Sequence, residues 1–87
     1  MFGVCWMITA FILLTVKAGT DQETMEKLRK YGGVKEVYEI YGAYDILAML
    51  EVGSEDELKN IQLNLERDEN VWSVRIARVV NIWKREA

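Results

Sequence analysis

The sequence predicts an α+β domain in which an antiparallel sheet carries two helices on one of its faces. Three observations support this prediction. Apolar, β-favouring residues concentrate in four segments. At two places a glycine is followed by a hydroxyl residue and, three positions later, by a glutamate, which indicates the start of a helix. The elements follow the order strand, helix, strand, strand, helix, strand. Two right-handed β-α-β crossovers interlock in this βαββαβ order, which places both helices on the same side of the sheet.

Composition sets limits on what the domain does. The 87 residues correspond to one domain, residues 1–87, with a hydrophobic share of 51% and a net charge of −3. A domain of this size buries only about 60–65% of its unfolded surface and often gains stability by oligomerising. The acidic balance argues against direct nucleic-acid binding. The absence of His excludes histidine-based catalysis and most zinc sites, and the single Cys5 favours a reducing, cytoplasmic location.

The first strand is predicted in the apolar stretch from Phe2 to Val16. Its 15 residues are too few for a spanning helix, which needs about 20. No basic residue precedes the stretch, as one would in a secretory signal. β-favouring side chains dominate it from Ile8 onward. We therefore expect a buried strand with no membrane role, and the role of residues 1–7 stays open.

Two helices are predicted to begin near Thr20 and Ser54. Each of these hydroxyl residues follows a glycine and precedes a glutamate three positions on, Glu23 or Glu57. This is the capping-box arrangement, in which the hydroxyl accepts a backbone N–H of the first turn and the glutamate reaches back. Both helices should therefore carry a side-chain cap at their start.

Apolar stripes of helical period support the two helices. The first helix places Met25 and Leu28 on one side and should end at the Gly32-Gly33 pair, which favours a helix stop. Charged residues occupy the other helix faces and are interpreted as solvated. The buried stripe of the second helix is spaced i, i+3 and i+7: Leu58, Ile61 and Leu65.

The remaining strands follow from β-branched and aromatic runs. Val34 to Tyr41 should form the second strand, Asp45 to Val52 the third and Val71 to Trp83 the last. Only Gly42-Ala43-Tyr44 separates the second strand from the third, and so short a glycine-bearing connection is typical of a hairpin. Together these elements predict the ferredoxin-like fold.

The face of the predicted sheet away from the helices is too apolar for a monomer. A sheet covered on one side usually carries polar residues on the other. Here the first, third and last strands carry apolar residues on both faces. We therefore expect a homodimer in which two sheets pack face to face, although a terminal extension such as residues 1–7 folding over the sheet is an alternative. The candidate interface residues are Phe11, Leu13, Leu47, Met49, Trp72 and Val74.

One stretch resembles a known family. Tyr41-Gly42-Ala43-Tyr44-Asp45-Ile46-Leu47-Ala48 resembles the turn and third strand of the C-terminal ligand-binding domain of the Lrp/AsnC transcription regulators, also called the RAM domain. The family shows a Gly, two variable residues and an Asp at this turn, followed by an apolar strand. Leu28 to Val37 looks like the family's entry to the second strand, and Glu69 to Ser73 like its entry to the last. The resemblance covers about Thr9 to Glu86.

The resemblance implies a function that composition does not show. Members dimerise through facing sheets, often assemble dimers into rings, and many bind an amino acid between dimers near this turn. Typical members also carry an N-terminal helix-turn-helix that binds DNA. The first strand here begins within ten residues of Met1, so we expect a stand-alone sensing module. Such a module would modulate full-length Lrp/AsnC regulators by assembling with them. The effector would stabilise one assembly over another and so shift their populations. No cofactor is expected.

The candidate ligand-binding residues lie in the matching turn and in the last strand. Asp45 could accept a hydrogen bond from an effector ammonium or satisfy backbone donors in the turn. Arg75 could meet a ligand carboxylate or serve as an exposed interface charge. Val74 and Ile76 stand where many members carry Thr, which leaves Ser73 as the hydroxyl of that region. The full set is Tyr41, Gly42, Ala43, Tyr44, Asp45, Ser73 and Arg75.

Three other kinds of protein share this topology. A small dimeric barrel enzyme of monooxygenase or isomerase type usually needs a His or a buried acid in a closed pocket, and the sequence offers only dispersed carboxylates, so we expect no enzyme. An RNA-recognition fold stacks bases on aromatic residues, which the third strand lacks. Another amino-acid-sensing module, such as an ACT domain, is separated from the favoured interpretation only by the turn from Tyr41 to Asp45.

Overall fold

A computed structural model describes residues 7–85, and within them the elements follow the predicted order. Antiparallel pairing joins the strands into one sheet in the order β2-β3-β1-β4. This order places β3 between β1 and β2, and β1 between β3 and β4, as interlocked crossovers require. The ferredoxin-like prediction is therefore confirmed. The elements are β1 (Ile8–Val16), α1 (Asp21–Arg29), β2 (Val34–Glu39), β3 (Ile46–Val52), α2 (Glu55–Glu66) and β4 (Val71–Arg78).

The hydrophobic core lies between the sheet and the helices α1 and α2. Side chains of β1 and β3 alternate between buried and partly exposed along both strands, because successive residues of a strand point to opposite faces. Burying each Leu or Ile contributes about 1.5–3 kcal/mol, so this layer is the main source of stability. The helix residues predicted to be buried do enter it: Leu28, Leu58, Ile61 and Leu65, with Met25 packed at the margin.

The two predicted helix caps differ in the structure. At α2, Ser54 Oγ accepts a hydrogen bond from Glu57 N at 3.2 Å, and Glu57 Oε1 accepts one from Gly53 N at 3.1 Å, so the cap is confirmed. At α1, the helix does begin after Thr20, but the predicted side-chain cap is wrong. Thr20 Oγ1 donates instead to Lys17 O at 2.6 Å. The backbone of Thr20 is not extended, unlike that of Ser54, so its hydroxyl faces the preceding turn.

Several elements are shorter than predicted. The second strand ends at Glu39 because the chain turns toward β3, and the first helix ends at Arg29, before the glycine pair. The last strand ends at Arg78 because its partner β1 begins at Ile8, which leaves little strand to pair with beyond that point.

Residues 1–6, which include Cys5 and most of the segment considered as a sheet cover, lie outside the described residues. Neither helix of the described part is long and apolar enough to cross a membrane.

The sheet surface opposite the helices is here called the open face. Residues paired across neighbouring strands form rows that cross this face from one strand to the next. These rows contain four of the candidate interface residues, each partly exposed: Phe11, Leu13, Leu47 and Met49. In the row of Leu13, the strand neighbours are Leu47 on β3 and Arg75 on β4. The prediction that the first and third strands carry a second apolar face is therefore confirmed.

Two of the six candidate interface residues lie elsewhere. Val74 pairs with Leu14 and packs against the core, so its placement on the open face was wrong. The pairing register between β1 and β4 shifts at Thr15 and Val16, and Trp72 is the extra residue opposite this shift. A β-bulge of this kind changes which residues share a face. Trp72 consequently stands outside the paired rows and is 68% exposed.

The C-terminal segment after β4 borders the open face without sealing it. Val79 N donates to Thr9 O at 2.9 Å, which carries the chain past the end of the sheet. Asn81 to Lys84 then form one wall of a groove of about 440 Å³, whose other wall includes Phe11 and Met49. Trp83 in this segment is 76% exposed, and Phe11, Leu13, Leu47 and Met49 stay partly exposed, so the segment leaves part of the open face available.

Candidate functional site

The turn that resembles the family motif is an exposed connection closed by backbone hydrogen bonds. Ile40 N donates to Asp45 O at 2.9 Å, which closes the turn at its base. Gly42 has a φ of +130°, a conformation that L side chains rarely adopt, so a glycine is needed there. Tyr41 projects fully into solvent, whereas Tyr44 is partly buried. The turn therefore presents an aromatic side chain next to a fixed carboxylate.

Asp45 is held against the end of β1 by two hydrogen bonds. Its backbone N donates to Leu14 O at 2.8 Å, and its Oδ2 accepts the backbone N–H of Val16 at 2.9 Å. The second bond lies where the register between β1 and β4 shifts. The structural role considered for Asp45 is thus present, with the donor on β1 rather than within the turn. A carboxylate has capacity for several hydrogen bonds, so Asp45 can also accept a donor from a ligand.

A concave depression lies beside this turn. It has a volume of about 350 Å³ and is lined by Asp21, Glu39, Ile40, Tyr41 and Asp45. Three acidic residues line it together with one aromatic residue, and the described residues that line it include no basic one. Such a lining can accept hydrogen bonds from an ammonium group but offers no cation for a carboxylate.

Asp21 and Glu39 were missed as site residues by reasoning from the sequence. Asp21 is the first residue of α1 and Glu39 the last of β2, so each was interpreted as part of a regular element. Only the predicted topology could have pointed to these two residues, because in the ferredoxin-like fold the start of α1 and the end of β2 both lie near the turn that follows β2. Only the assembled fold shows that these carboxylates share a depression with Asp45.

The candidate residues of the last strand are separated from the turn. Ser73 Oγ donates to Thr15 Oγ1 at 2.9 Å, which uses its hydroxyl in a bond between neighbouring strands. Arg75 lies opposite Leu13 on the open face and is exposed. Strand β1 stands between both residues and β3, and neither lines the depression. The structure therefore brings the turn residues together and leaves Ser73 and Arg75 on a different surface.

The most connected charged cluster lies away from the turn. Lys27 Nζ donates to Asp68 Oδ2 at 2.8 Å and lies 3.6 Å from Glu23 Oε2. The hydrogen bond from Lys27 lowers the pKa of Asp68, and the same bond raises the pKa of Lys27. These contacts join α1 to the turn after α2, which indicates a structural role. Among residues 7–85, no three metal-ligating side chains are grouped so as to hold a metal ion.

Fold and site together define a small α+β binding domain with an apolar sheet face beside an acidic turn. The family model for the Lrp/AsnC ligand binding domain matches residues 9–87, and the chain belongs to this family. The resemblance carried by the turn is thereby confirmed.

Curated relatives and solved structures agree with this assignment. The HTH-type transcriptional regulator FL11 of Pyrococcus furiosus is 45% identical over 53 residues, which make up 61% of this chain and 35% of that protein. The chain spans about a third of the length of the curated relatives it matches. The crystal structure of a hypothetical protein from Pyrococcus horikoshii is 30% identical, with a TM-score of 0.76, and the match covers 86% of this chain and 92% of that one.

A more distant match shows the fold alone. The crystal structure of a transcriptional regulator from Neisseria meningitidis, determined as a complex with L-Met, has a TM-score of 0.78. It is 20% identical, and the match covers 90% of this chain and 53% of that one.

Proposed function

We propose that the chain is a regulatory domain that assembles through its open face and responds to a small effector such as an amino acid. The observation that carries the proposal is the set of partly exposed apolar residues on the open face of a member of this family. Contiguous apolar surface of this kind indicates a protein partner. A second copy is the simplest partner, because a two-fold interface needs only one self-complementary surface.

The depression beside the turn is the proposed effector site. Its carboxylates suit the ammonium group of an amino acid, and Asp45 is fixed in place by Val16. The carboxylate of such an effector would need a cation from elsewhere. A neighbouring dimer in a ring would supply it, so the effector would stabilise one assembly over another. The Neisseria meningitidis regulator in its L-Met complex is a fold neighbour that supports an amino acid as the effector class.

Transcription would be modulated through partner regulators. FL11 is an HTH-type regulator whose matched segment is similar to this chain, so the two domains could assemble through equivalent faces. The domain itself would act in the cytoplasm, without catalysis and without direct contact to nucleic acid. Ser73 and Arg75 would not contact the effector in this arrangement, because β1 separates them from the depression.

Native mass spectrometry with and without each common amino acid tests the proposal. We expect an even-numbered assembly that gains mass or changes size with one of them. Asp45→Asn should weaken this response about tenfold, because the amide oxygen still accepts Val16 N–H but the charge facing the ammonium is lost. Asp56→Asn, on the exposed first turn of α2, is the matched control. A monomer would contradict the assembly, and an assembly indifferent to every amino acid would contradict effector sensing.

A further inference from the structure

Charge is distributed unevenly across the open face. One row across the sheet runs Tyr38, Leu47, Leu13 and Arg75, from β2 to β4. The adjacent row begins with Glu36 on β2 and continues through Met49 and Phe11 to β4. Within the described strands, Arg75 is the one cation in these paired rows, and it occupies the edge opposite Glu36. The open face thus has a basic edge at β4 and an acidic edge at β2, and the centre between them is apolar apart from Glu51, which lies on β3 opposite Thr9.

Arg75 has no acidic partner within reach on its own sheet. The spacing of about 4.8 Å between strands places its Cα about 16 Å from that of Glu36. None of the ion pairs formed within residues 7–85 includes Arg75. If a second sheet covered the open face, an unpaired guanidinium beside Leu13 would be costly, because charges removed from water need a partner.

A hydrogen bond on β2 directs the acidic edge toward the row of Arg75. Tyr38 Oη donates to Glu36 Oε1 at 2.8 Å, so the carboxylate leans from its own row toward the row that contains Arg75. Glu36 and Tyr38 are both exposed, and β2 is an edge strand. This tyrosine-supported carboxylate is therefore the acidic group at the β2 edge of the open face, whereas Glu51 lies farther inward, on β3.

The symmetry of a face-to-face dimer decides which edges meet. A two-fold axis parallel to the strands places β4 of one copy over β2 of the other, and β1 over β3. An axis across the strands places each strand over itself, so that the two β4 strands, which carry Arg75, face each other and the two β2 strands, which carry Glu36, do likewise. Opposite charges across an interface favour association, whereas like charges in contact are unfavourable. The charge pattern therefore selects the axis parallel to the strands.

We propose that Arg75 of one copy pairs with Glu36 of a second copy, twice by symmetry, and that this pairing sets the orientation of two facing sheets. The inference rests on the proposed assembly through the open face and adds its geometry. Sheets packed about 10 Å apart leave a gap that an arginine and a glutamate side chain can span together. The apolar side chains of Leu13 and Leu47 then lie over one another near the axis.

Charge reversal tests the pairing in the full chain. Arg75→Glu or Glu36→Arg alone should weaken the dimer about tenfold or more, because each change places two like-charge pairs in the interface. The double variant should return to within about threefold of the wild type, because both pairs are then reversed. An equal mixture of the two single variants should also recover, as heterodimers, which shows that each variant is folded. Analytical ultracentrifugation over a dilution series measures the dissociation constants.

Matched controls lie away from the open face. Lys59→Glu on α2 and Glu69→Arg before β4 make the same charge changes at exposed sites and should leave the dissociation constant unchanged. Dimers unaffected by either single reversal would overturn the pairing while leaving the assembly intact. Single variants that weaken the dimer without recovery in the double variant or the mixture would also overturn it. A wild-type chain that is monomeric at micromolar concentration would instead overturn the proposed assembly.

Discussion

The side chain of Asp45 accepts the backbone N–H of Val16, at 2.9 Å and across 29 positions of sequence. This bond fastens the β2–β3 turn to the end of β1, where the register between β1 and β4 shifts. The same turn carries the family motif and borders the acidic depression. One residue therefore both shapes the turn and presents a carboxylate to the proposed effector site.

Removing this acceptor should destabilise the domain. Asp45→Ala leaves the partly buried Val16 N–H without its partner, and we expect a loss of about 1–3 kcal/mol in the free energy of unfolding. Asp45→Asn retains an oxygen acceptor and should lose less than half of that. Urea denaturation at one fixed protein concentration measures both changes, because assembly also contributes to stability. Equal losses in the two variants would show that charge, rather than the bond to Val16, is what stabilises the turn.

Much of the fold could be predicted from the sequence because local pattern and burial agree. The alternation along β3 assigns Ile46, Ala48, Leu50 and Val52 to the core, and the structure buries each of them. The i, i+3, i+7 spacing in α2 likewise assigns Leu58, Ile61 and Leu65 to the core, and the structure buries all three. The register shift between β1 and β4 carries no comparable signal, since a bulge depends on how two distant strands meet. That is why Val74 was placed on the wrong face.

The candidate site was only partly predictable for a similar reason. The turn is a local feature, so its glycine and aspartate could be recognised in the sequence. The depression also contains Asp21 and Glu39, which come from separate elements and meet only in the folded chain. The bond between Asp45 and Val16 likewise joins segments far apart in sequence.

The two helix starts should respond differently to loss of their hydroxyl groups. Ser54→Ala removes an acceptor for Glu57 N and should cost about 1 kcal/mol of unfolding free energy. Thr20→Ala removes only an exposed bond to Lys17 O and should cost about 0.5 kcal/mol. Urea denaturation of both variants makes the comparison. A larger loss at Thr20 than at Ser54 would mean that Thr20 caps α1 in solution.

The ion pair between Lys27 and Asp68 should make stability depend on pH. The hydrogen bond from Lys27 lowers the pKa of Asp68 below its usual 3.8. The stabilisation is therefore present above pH 3.8 and is lost as pH falls through the lower value in the folded state. The same bond raises the pKa of Lys27 above 10.5, so at high pH the stabilisation is lost as pH rises through that higher value.

Substituting Lys27 by Met should remove both dependences while keeping an unbranched side chain. We expect the wild type to exceed Lys27→Met in unfolding free energy at pH 7, and the difference to shrink as the pH falls below 3.8. Denaturation at a series of pH values measures this difference. Lys59→Met, on the exposed side of α2, is the control that should show no such trend. A constant difference between pH 7 and pH 2 would contradict the role assigned to the pair.

The two adjacent glycines before β2 should tolerate a methyl group very differently. A Cβ on Gly33 would lie 2.7 Å from Val52 Cγ1 and 3.1 Å from Glu51 O, and the backbone there is held by Glu51 N donating to Gly33 O at 2.8 Å. Gly33→Ala should therefore cost about 1–3 kcal/mol of unfolding free energy through overpacking. Gly32 has open space at the same position, so Gly32→Ala should be neutral or stabilise by about 0.4–1 kcal/mol.

Thermal or urea denaturation of the two alanine variants, made in the same background, measures this contrast directly. Because the substitutions are chemically identical and adjacent, differences in unfolded-chain entropy largely cancel between them. What remains is the approach of β3 to Gly33, where the carbonyl of Glu51 is backbone and cannot move aside as a flexible side chain would. Equal stability of the two variants would show that the junction between α1 and β2 is looser than this packing requires.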